Sequence, residues 1–436
     1  MWERAGFFGM LVLLPLSLAA PTANGGFGWS NGEAIGFVGT YLAGVSLSPL
    51  LAGVLMHRRL SSAYGLMLGG VAMLAGHLLL ALVPWFSASS DPTDVLRLWP
   101  ADGTAWRLDM LTFYIGVMAL VLGSGFFIVA APTLAGRLIA TDDARRPAAF
   151  SLFYALINVG YLIGTLLVGY VGETQGWHRG YAAAAAVMAC GLVFLLPVLR
   201  GWPARTVDSD EAQPQASLVA AWRALTPEIR KRLLVLLLLS LAVQPFYVVY
   251  GQIYGFLQIE IFEHTRREVF DFVLPAAWLQ ATSGLLVIAY APLFAWLWTR
   301  SVRSGRQPKL ALQLAAAVLL AALALVPVLA GLMERTGRVD GTSALHWVPL
   351  CYAILVAGEM CVGPVMLAAI TCIAPSRWVG PALGVWFLAG AGASKISGMV
   401  GAMAADGQAV LVMGALAALT LAWGLGLAVI GRRITL

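Results

Sequence analysis

The chain has 436 residues, of which 60% are hydrophobic and only 11% charged. Soluble domains are about 45–50% apolar and about 25% charged, so this chain has too little charge to cover a water-facing surface of its size, and lipid must be its main solvent. The net charge of +6 does not indicate nucleic acid, because the basic residues are spread between apolar runs rather than gathered in one patch.

Apolar stretches of roughly 20 residues, enough to cross a hydrocarbon core of about 30 Å, recur along the chain. Twelve are expected, at residues 4–20, 34–56, 63–85, 110–136, 148–171, 180–199, 233–257, 274–298, 309–333, 346–373, 380–404 and 408–430. The runs are continuous and show no ten-residue alternation, so they predict helices rather than barrel strands. The 47 glycines suit close helix approach in lipid, where small residues allow backbone contact.

The first run begins almost at Met1 with no basic region before it and no persuasive cleavage site, so it is expected to be retained as a span. The loop HRRLSS follows the second span, at residues 57–62, with Arg58 and Arg59 read as topological charges and His57 as incidental. GSGFF at residues 123–127 is not a dinucleotide fingerprint, and its glycines read as helix-packing positions. The polar, proline-bearing stretch 200–232 divides the spans six and six, and a short amphipathic helix is expected within it at 215–226. GAGASKISG at residues 390–398 lacks the Gly-Lys-Ser/Thr ending of a phosphate loop and lies between apolar flanks. Cys190, Cys351, Cys361 and Cys372 all fall in spans and have no metal-type spacing, and the five histidines are scattered.

Nineteen of the 27 Lys and Arg residues fall on the side shared by both termini, seven on the other, and Lys395 within a span. That asymmetry predicts a cytoplasmic N- and C-terminus. The organisation expected is an all-α polytopic protein with an N-terminal six-helix bundle (1–199), a cytoplasmic linker (200–232) and a C-terminal six-helix bundle (233–436). This six-plus-six layout with a basic connector is that of the major facilitator superfamily.

Four segments carry a more specific likeness: MWERAGFFGM in the first span, DDARRPAAFSLFYALINVGYLIGTLLVGYVGETQGWHRGY across the fifth, PAAWLQATSGLLVIAYAPLFAWLW in the eighth, and GEMCVGPVMLAAITCIAPSRWVGPALGVWFLAG across the tenth and eleventh. On these residues the chain resembles the proton-dependent oligopeptide transporter family of that superfamily. The resemblance implies that Glu3 and Arg4 are the end of a Glu-x-x-Glu-Arg motif, whose first Glu either lies upstream of Met1 or is missing from this chain. Arg4 would hold a substrate carboxylate and Glu3 would link transport to protons. Glu359 would face the substrate amino group, and Asn158 and Ser283 would contact its backbone. Tyr154, one turn before Asn158, and Trp386, in GVWFL, would add to the substrate site.

The chain departs from the family pattern where the cavity is normally charged. Leu11, Ile128 and Gly251 stand where the pattern has a basic residue, a Lys and a Glu, and the first and last of these form a gating ion pair in the family. Removing one partner of a buried pair strands a charge at about 3–5 kcal/mol, whereas replacing both by apolar groups is nearly neutral. The paired loss is therefore compatible with a gate that does without the pair. Phe7 and Phe8 replace tyrosines, and Ser283-Gly284 replaces Asn-Pro. Lys395 is expected to pair with Glu359 across neighbouring helices and to act as a gate partner.

Each site residue also has a plainer reading. Glu3 and Arg4 would serve as an interfacial anchor, Glu359 as half of a structural pair, Asn158 and Tyr154 as interhelical hydrogen bonds, and Trp386 as packing. The function expected is a proton-coupled symporter importing di- and tripeptides or peptide-like solutes by alternating access. The alternatives are a carrier of a less charged organic solute or peptide-derived metabolite, and a transporter-like receptor that binds without moving its ligand. No enzyme activity, catalytic residue, metal or cofactor is expected. The partners expected are a small peptide, protons and the bilayer of the cell inner membrane, with no nucleic acid and a monomeric working state.

Overall fold

The computed structural model describes residues 1–87, 108–137, 146–200, 223, 225–305 and 309–433. Almost all of them are helical, as lipid requires of a chain whose backbone groups must be satisfied internally. The helices are α1 (Trp2–Ala19), α2 (Asn31–Arg59), α3 (Ser62–Ser87), α4 (Leu108–Arg137), α5 (Arg146–Ile163), α6 (Gly169–Gln175), α7 (Trp177–Arg200), α8 (Pro227–Ala242), α9 (Gln244–Tyr250), α10 (Phe256–His264), α11 (Ala276–Arg303), α12 (Leu310–Gly337), α13 (Trp347–Met360), α14 (Gly363–Ile373), α15 (Ser376–Met403) and α16 (Ala409–Gly431). Among the described residues, eleven segments are long and apolar enough to cross a membrane. The last of them, Trp378–Gly431, takes in most of α15 and all of α16, and each of the twelve apolar runs of the sequence is largely helical. Residues 215–222 and 224 of the expected amphipathic segment, most of the linker, and the side chains of His57, Arg58 and Arg59 lie outside the description.

Local chemistry sets where these helices start and break. Ser30 and Glu33 form a reciprocal capping box at the start of α2. Thr226 caps α8, with Pro227 in its first turn, where a missing N–H costs nothing. A π turn at Gly164–Val168 joins α5 to α6. The chain between α13 and α14 turns at Cys361 and Val362, before a proline in the first turn of α14. Gly407, at φ +97°, breaks α15 from α16, a conformation that glycine adopts without steric cost. Outside the helices a two-residue hairpin pairs Glu268–Val269 with Phe272–Val273, with Phe270 and Asp271 both at positive φ.

The described residues cluster into two compact units. Unit 1 spans Met1–Ala34, Leu47–Val207 and Val269–Gly284, and unit 2 spans Ile35–Ser46, Asp208–Glu268 and Leu285–Leu436. In unit 1, α1 is the buried axis, with Met10 through Leu14 fully inaccessible. Glycines set its distance from α5: a Cβ on Gly164 would lie 2.2 Å from the Ala5 carbonyl oxygen, and one on Gly9 would lie 2.9 Å from the Gly164 oxygen. In unit 2, α12 has the corresponding buried face, rich in alanine from Ala311 to Ala324, and Gly424 of α16 sits against Leu319. Dispersion between small-residue faces is what holds helices together where no hydrophobic drive exists between them.

Candidate functional site

The two charges expected to grip a solute sit on different units and are held in different ways. In unit 1, the glycine contacts press α1 against α5, and a Cβ on Gly160 would come within 2.3 Å of the Met1 carbonyl oxygen and 3.0 Å of the Arg4 Cβ. Close approach at this point fixes the first turn of α1. The Arg4 guanidinium donates to both carboxylate oxygens of Glu3, and Glu3 is only 4% exposed. The guanidinium also lies over the rings of Phe7 and Phe8, 4.8 and 5.7 Å from their centroids. Such contacts favour a cation by about 0.5–2 kcal/mol, depending on desolvation, so the two phenylalanines orient Arg4 without supplying a hydroxyl.

Phe8 in turn meets Tyr161 edge-on at 4.7 Å. The Tyr161 hydroxyl lies 2.8 Å from Ser283 Oγ and donates toward the Gln280 carbonyl at 3.1 Å. Arg4 and Ser283 are thus joined through Phe8 and Tyr161, neither of which sequence reasoning placed in the site. Tyr161 carried a weak signal, three residues after Asn158 on α5. Ser283 itself donates to the Gln280 carbonyl at 2.8 Å and is buried. Its hydroxyl is thus engaged by its own helix and by Tyr161. Gly284 follows for a steric reason, since a Cβ there would lie 2.6 Å from the Tyr161 ring.

The start of α11 is anchored by a residue the sequence did not single out. The Glu173 carboxylate accepts from the backbone N–H groups of Ala276 and Ala277, each at 2.8 Å, an anion at a helix N-terminus. Trp278 Nε1 donates to the Leu166 carbonyl at 2.9 Å. Asn158 is half-buried on α5, and the side chain of Tyr154 lies outside the description.

In unit 2, Glu359 occupies the last turn of α13, immediately before the break to α14. Helices interrupted in mid-span are a common way for transporters to build a site. The half-buried Glu359 accepts one hydrogen bond among the described residues, from the Tyr250 hydroxyl at 3.0 Å. Around Tyr250 lies an aromatic wall. Tyr250 stacks on Phe246 at 5.7 Å and meets Tyr254 at 6.2 Å, while Tyr247 meets Trp386 edge-on at 5.6 Å. Trp386 therefore lines the same wall and is half-buried.

Lys395 does not pair with Glu359. Its Nζ donates to Thr40 Oγ1 at 2.7 Å. Of the positions that lost a family charge, Leu11 is fully buried in the apolar axis of α1, and Gly251 has no room for a side chain, since a Cβ there would lie 2.5 Å from Ser397 Oγ.

A family model described as the POT family matches residues 65–200 and 201–419. The chain is 27% identical over 458 residues to the peptide transporter YePEPT of Yersinia enterocolitica, covering 92% of this chain and 85% of the relative. It is 24% identical over 464 residues to a di-/tripeptide transporter of Lactococcus lactis subsp. cremoris, covering 92% and 86%. Among solved structures, a mutant of a peptide transporter POT in complex with alafosfalin superposes with a TM-score of 0.81 at 25% identity, covering 99% of this chain and 92% of that one. A POT family transporter in complex with 5-aminolevulinic acid superposes with a TM-score of 0.83 at 20% identity, covering 100% and 95%.

Proposed function

The chain belongs to the POT family and has the major facilitator fold, and on that premise we propose that it imports di- and tripeptides or peptide-like solutes together with protons, by alternating access. The observation that carries this reading is the state of Glu359. It is a half-buried carboxylate whose described partner is a neutral phenol, set in an aromatic wall that favours cations. An ionisable group inside a span is costly unless something neutralises it. A peptide ammonium does so when substrate is bound, and a proton when it is not. Arg4, held over Phe7 and Phe8, supplies the opposite charge for the peptide carboxylate. Glu3 is its resident counter-ion, and protonating Glu3 frees Arg4 for the incoming carboxylate. Asn158 and Trp386 contact the backbone and side chain of the solute.

The moving bodies proposed are the six-span halves, 1–199 and 233–436. The Lys and Arg asymmetry supports both termini being cytoplasmic, and the location proposed is the cell inner membrane, with a monomer as the working unit. The relatives' names support the substrate class, since YePEPT and the lactococcal protein are described as peptide and di-/tripeptide transporters.

The test is uptake of labelled dialanine into proteoliposomes with and without an inward proton gradient. Accumulation that needs the gradient supports the proposal, and absence of uptake by folded protein overturns it. One observation favours a less charged solute as the second reading: Leu11 and Gly251 are uncharged, and a Cβ at Gly251 would lie 2.5 Å from Ser397 Oγ. Amidated or N-acylated dipeptides carried better than dialanine would establish that reading, and binding without accumulation would establish a receptor.

A further inference from the structure

We propose that Gly39, Thr40, Gln252, Lys395, Ser397 and Gly398 form a latch without an ion pair that closes one side of the transport path, in place of the pair missing at Leu11 and Gly251. The inference rests on the transport reading above.

The latch is a crossing of α2 and α15 at which the two backbones touch. A Cβ on Gly39 would lie 2.5 Å from the Gly398 Cα and 2.8 Å from the Ser394 carbonyl oxygen, and one on Gly398 would lie 2.7 Å from the Gly39 Cα. Two polar contacts flank the crossing. On one side Lys395 Nζ donates to Thr40 Oγ1 at 2.7 Å, while Thr40 donates back to the Gly36 carbonyl at 2.9 Å. On the other, the fully buried Gln252 amide donates to Ser397 Oγ at 2.9 Å and to the Ser397 carbonyl at 3.0 Å.

Gly251 explains why this arrangement is available. The Ser397 hydroxyl occupies the space that any side chain at residue 251 would need. A side chain at residue 251 would therefore have to displace the Ser397 hydroxyl from its place beside Gln252.

A latch has to open as well as close. By sequence α2 belongs to the first six spans, yet its segment Ile35–Ser46 clusters with unit 2, while the residues on either side of it cluster with unit 1. Alternating access requires that segment to part from α15. A crossing of two glycines has no interlocked side chains to disengage, and neutral or singly charged hydrogen bonds are exchanged for water at little net change. The described contacts thus combine close fit with easy separation.

The experiment places a cysteine at Val38, which is 1% exposed beside Gly39, in a chain whose four native cysteines are replaced. Its reactivity toward a membrane-impermeant maleimide reports whether the seam is open. Gly39→Val wedges the crossing, and is expected to raise the labelling rate at least about tenfold and lower dialanine uptake by a similar factor. Gly53→Val on α2 and Gly392→Ala on α15 meet nothing within 4 Å, and are expected to leave both readouts within about twofold. Should Gly39→Val fail to fold, Ser397→Ala combined with Lys395→Met adds no bulk at the crossing and is expected to raise labelling about three- to fivefold. Unchanged labelling in folded latch variants, or an equal rise in the Gly53→Val control, overturns the latch. Labelling needs no substrate, so failure of wild-type protein to carry dialanine would remove the peptide reading while leaving the latch separately tested.

Discussion

Arg4 in unit 1 and Glu359 in unit 2 solve the same problem, keeping a charge inside a membrane protein, in opposite ways. Arg4 has a built-in counter-ion in the adjacent Glu3 and two aromatic faces beneath it. Its charge is settled before any solute arrives. Among the described residues, Glu359 has the Tyr250 hydroxyl as its hydrogen-bond partner and no ion pair. The first arrangement is a stored ion pair and the second an open acceptor.

The comparison breaks most visibly at Glu359. Glu359→Gln keeps the volume and a carbonyl for Tyr250 but removes the anion, so dialanine uptake at low concentration is expected to fall at least about 30-fold, equivalent to about 2 kcal/mol for a charged hydrogen bond. An N-acetylated analogue should be indifferent to the change. Equal initial rates for dialanine in variant and wild type would take Glu359 out of substrate binding.

Glu3→Gln sharpens the other half. With its counter-ion neutralised permanently, Arg4 remains able to hold a carboxylate, so peptide exchange across the membrane is retained while gradient-driven accumulation drops about tenfold. Counterflow and accumulation measured on the same vesicles separate the two. Accumulation that persists in the variant would show that protons enter elsewhere.

Tyr250→Phe removes the one described bond to Glu359 and leaves the stacking on Phe246. The loss expected is about 1 kcal/mol, or about fivefold in apparent affinity, and competition assays with dialanine read it directly. An effect as large as that of Glu359→Gln would mean that the phenol itself contacts the solute.

The smallest effect lies away from the site, in the loop after α12. Arg338 donates to the Asp340 carboxylate at 3.1 and 3.2 Å, and the Thr342 N–H adds a third bond. The Arg338 hydrogen bond, first, and the Thr342 bond hold this carboxyl well below its usual range. A depressed folded-state pKa contributes stability above the unfolded value of about 3.9 and loses it as pH falls further. Asp340→Asn should therefore flatten the acid limb of a melting-temperature profile below about pH 4 and change little at neutral pH. The carboxylate is fully exposed, so the shift should be small and weakened by salt.

Much of this was legible without coordinates. The apolar runs at 63–85 and 309–333 became α3 and α12 because hydrophobic length is a local property, and a span in lipid has no alternative to helix. Glu3 and Arg4 were legible because they are adjacent in sequence, so their pairing needs no tertiary fold. Trp386 was legible as an aromatic in a span, though its partner Tyr247 was not. Tyr161, Glu173 and Tyr250 went unread for a common reason: each acts through a residue more than 100 positions away, and nothing local marks such a partner. Lys395 shows the error this produces. Charge balance suggested Glu359, whereas the fold brings its ammonium to Thr40, a residue 355 positions away.

The sequence by itself therefore determined the solvent of this protein, its helical spans and its likeness to a transporter family, because transfer of apolar length into lipid depends on composition along the chain. Only the tertiary structure decided which charges meet. Helix order, the glycine crossings at Gly9–Gly164 and Gly39–Gly398, and the 1.5 Å rise per residue set which side chains lie level with one another, and a hydrogen bond a few ångströms long is satisfied or lost on that register.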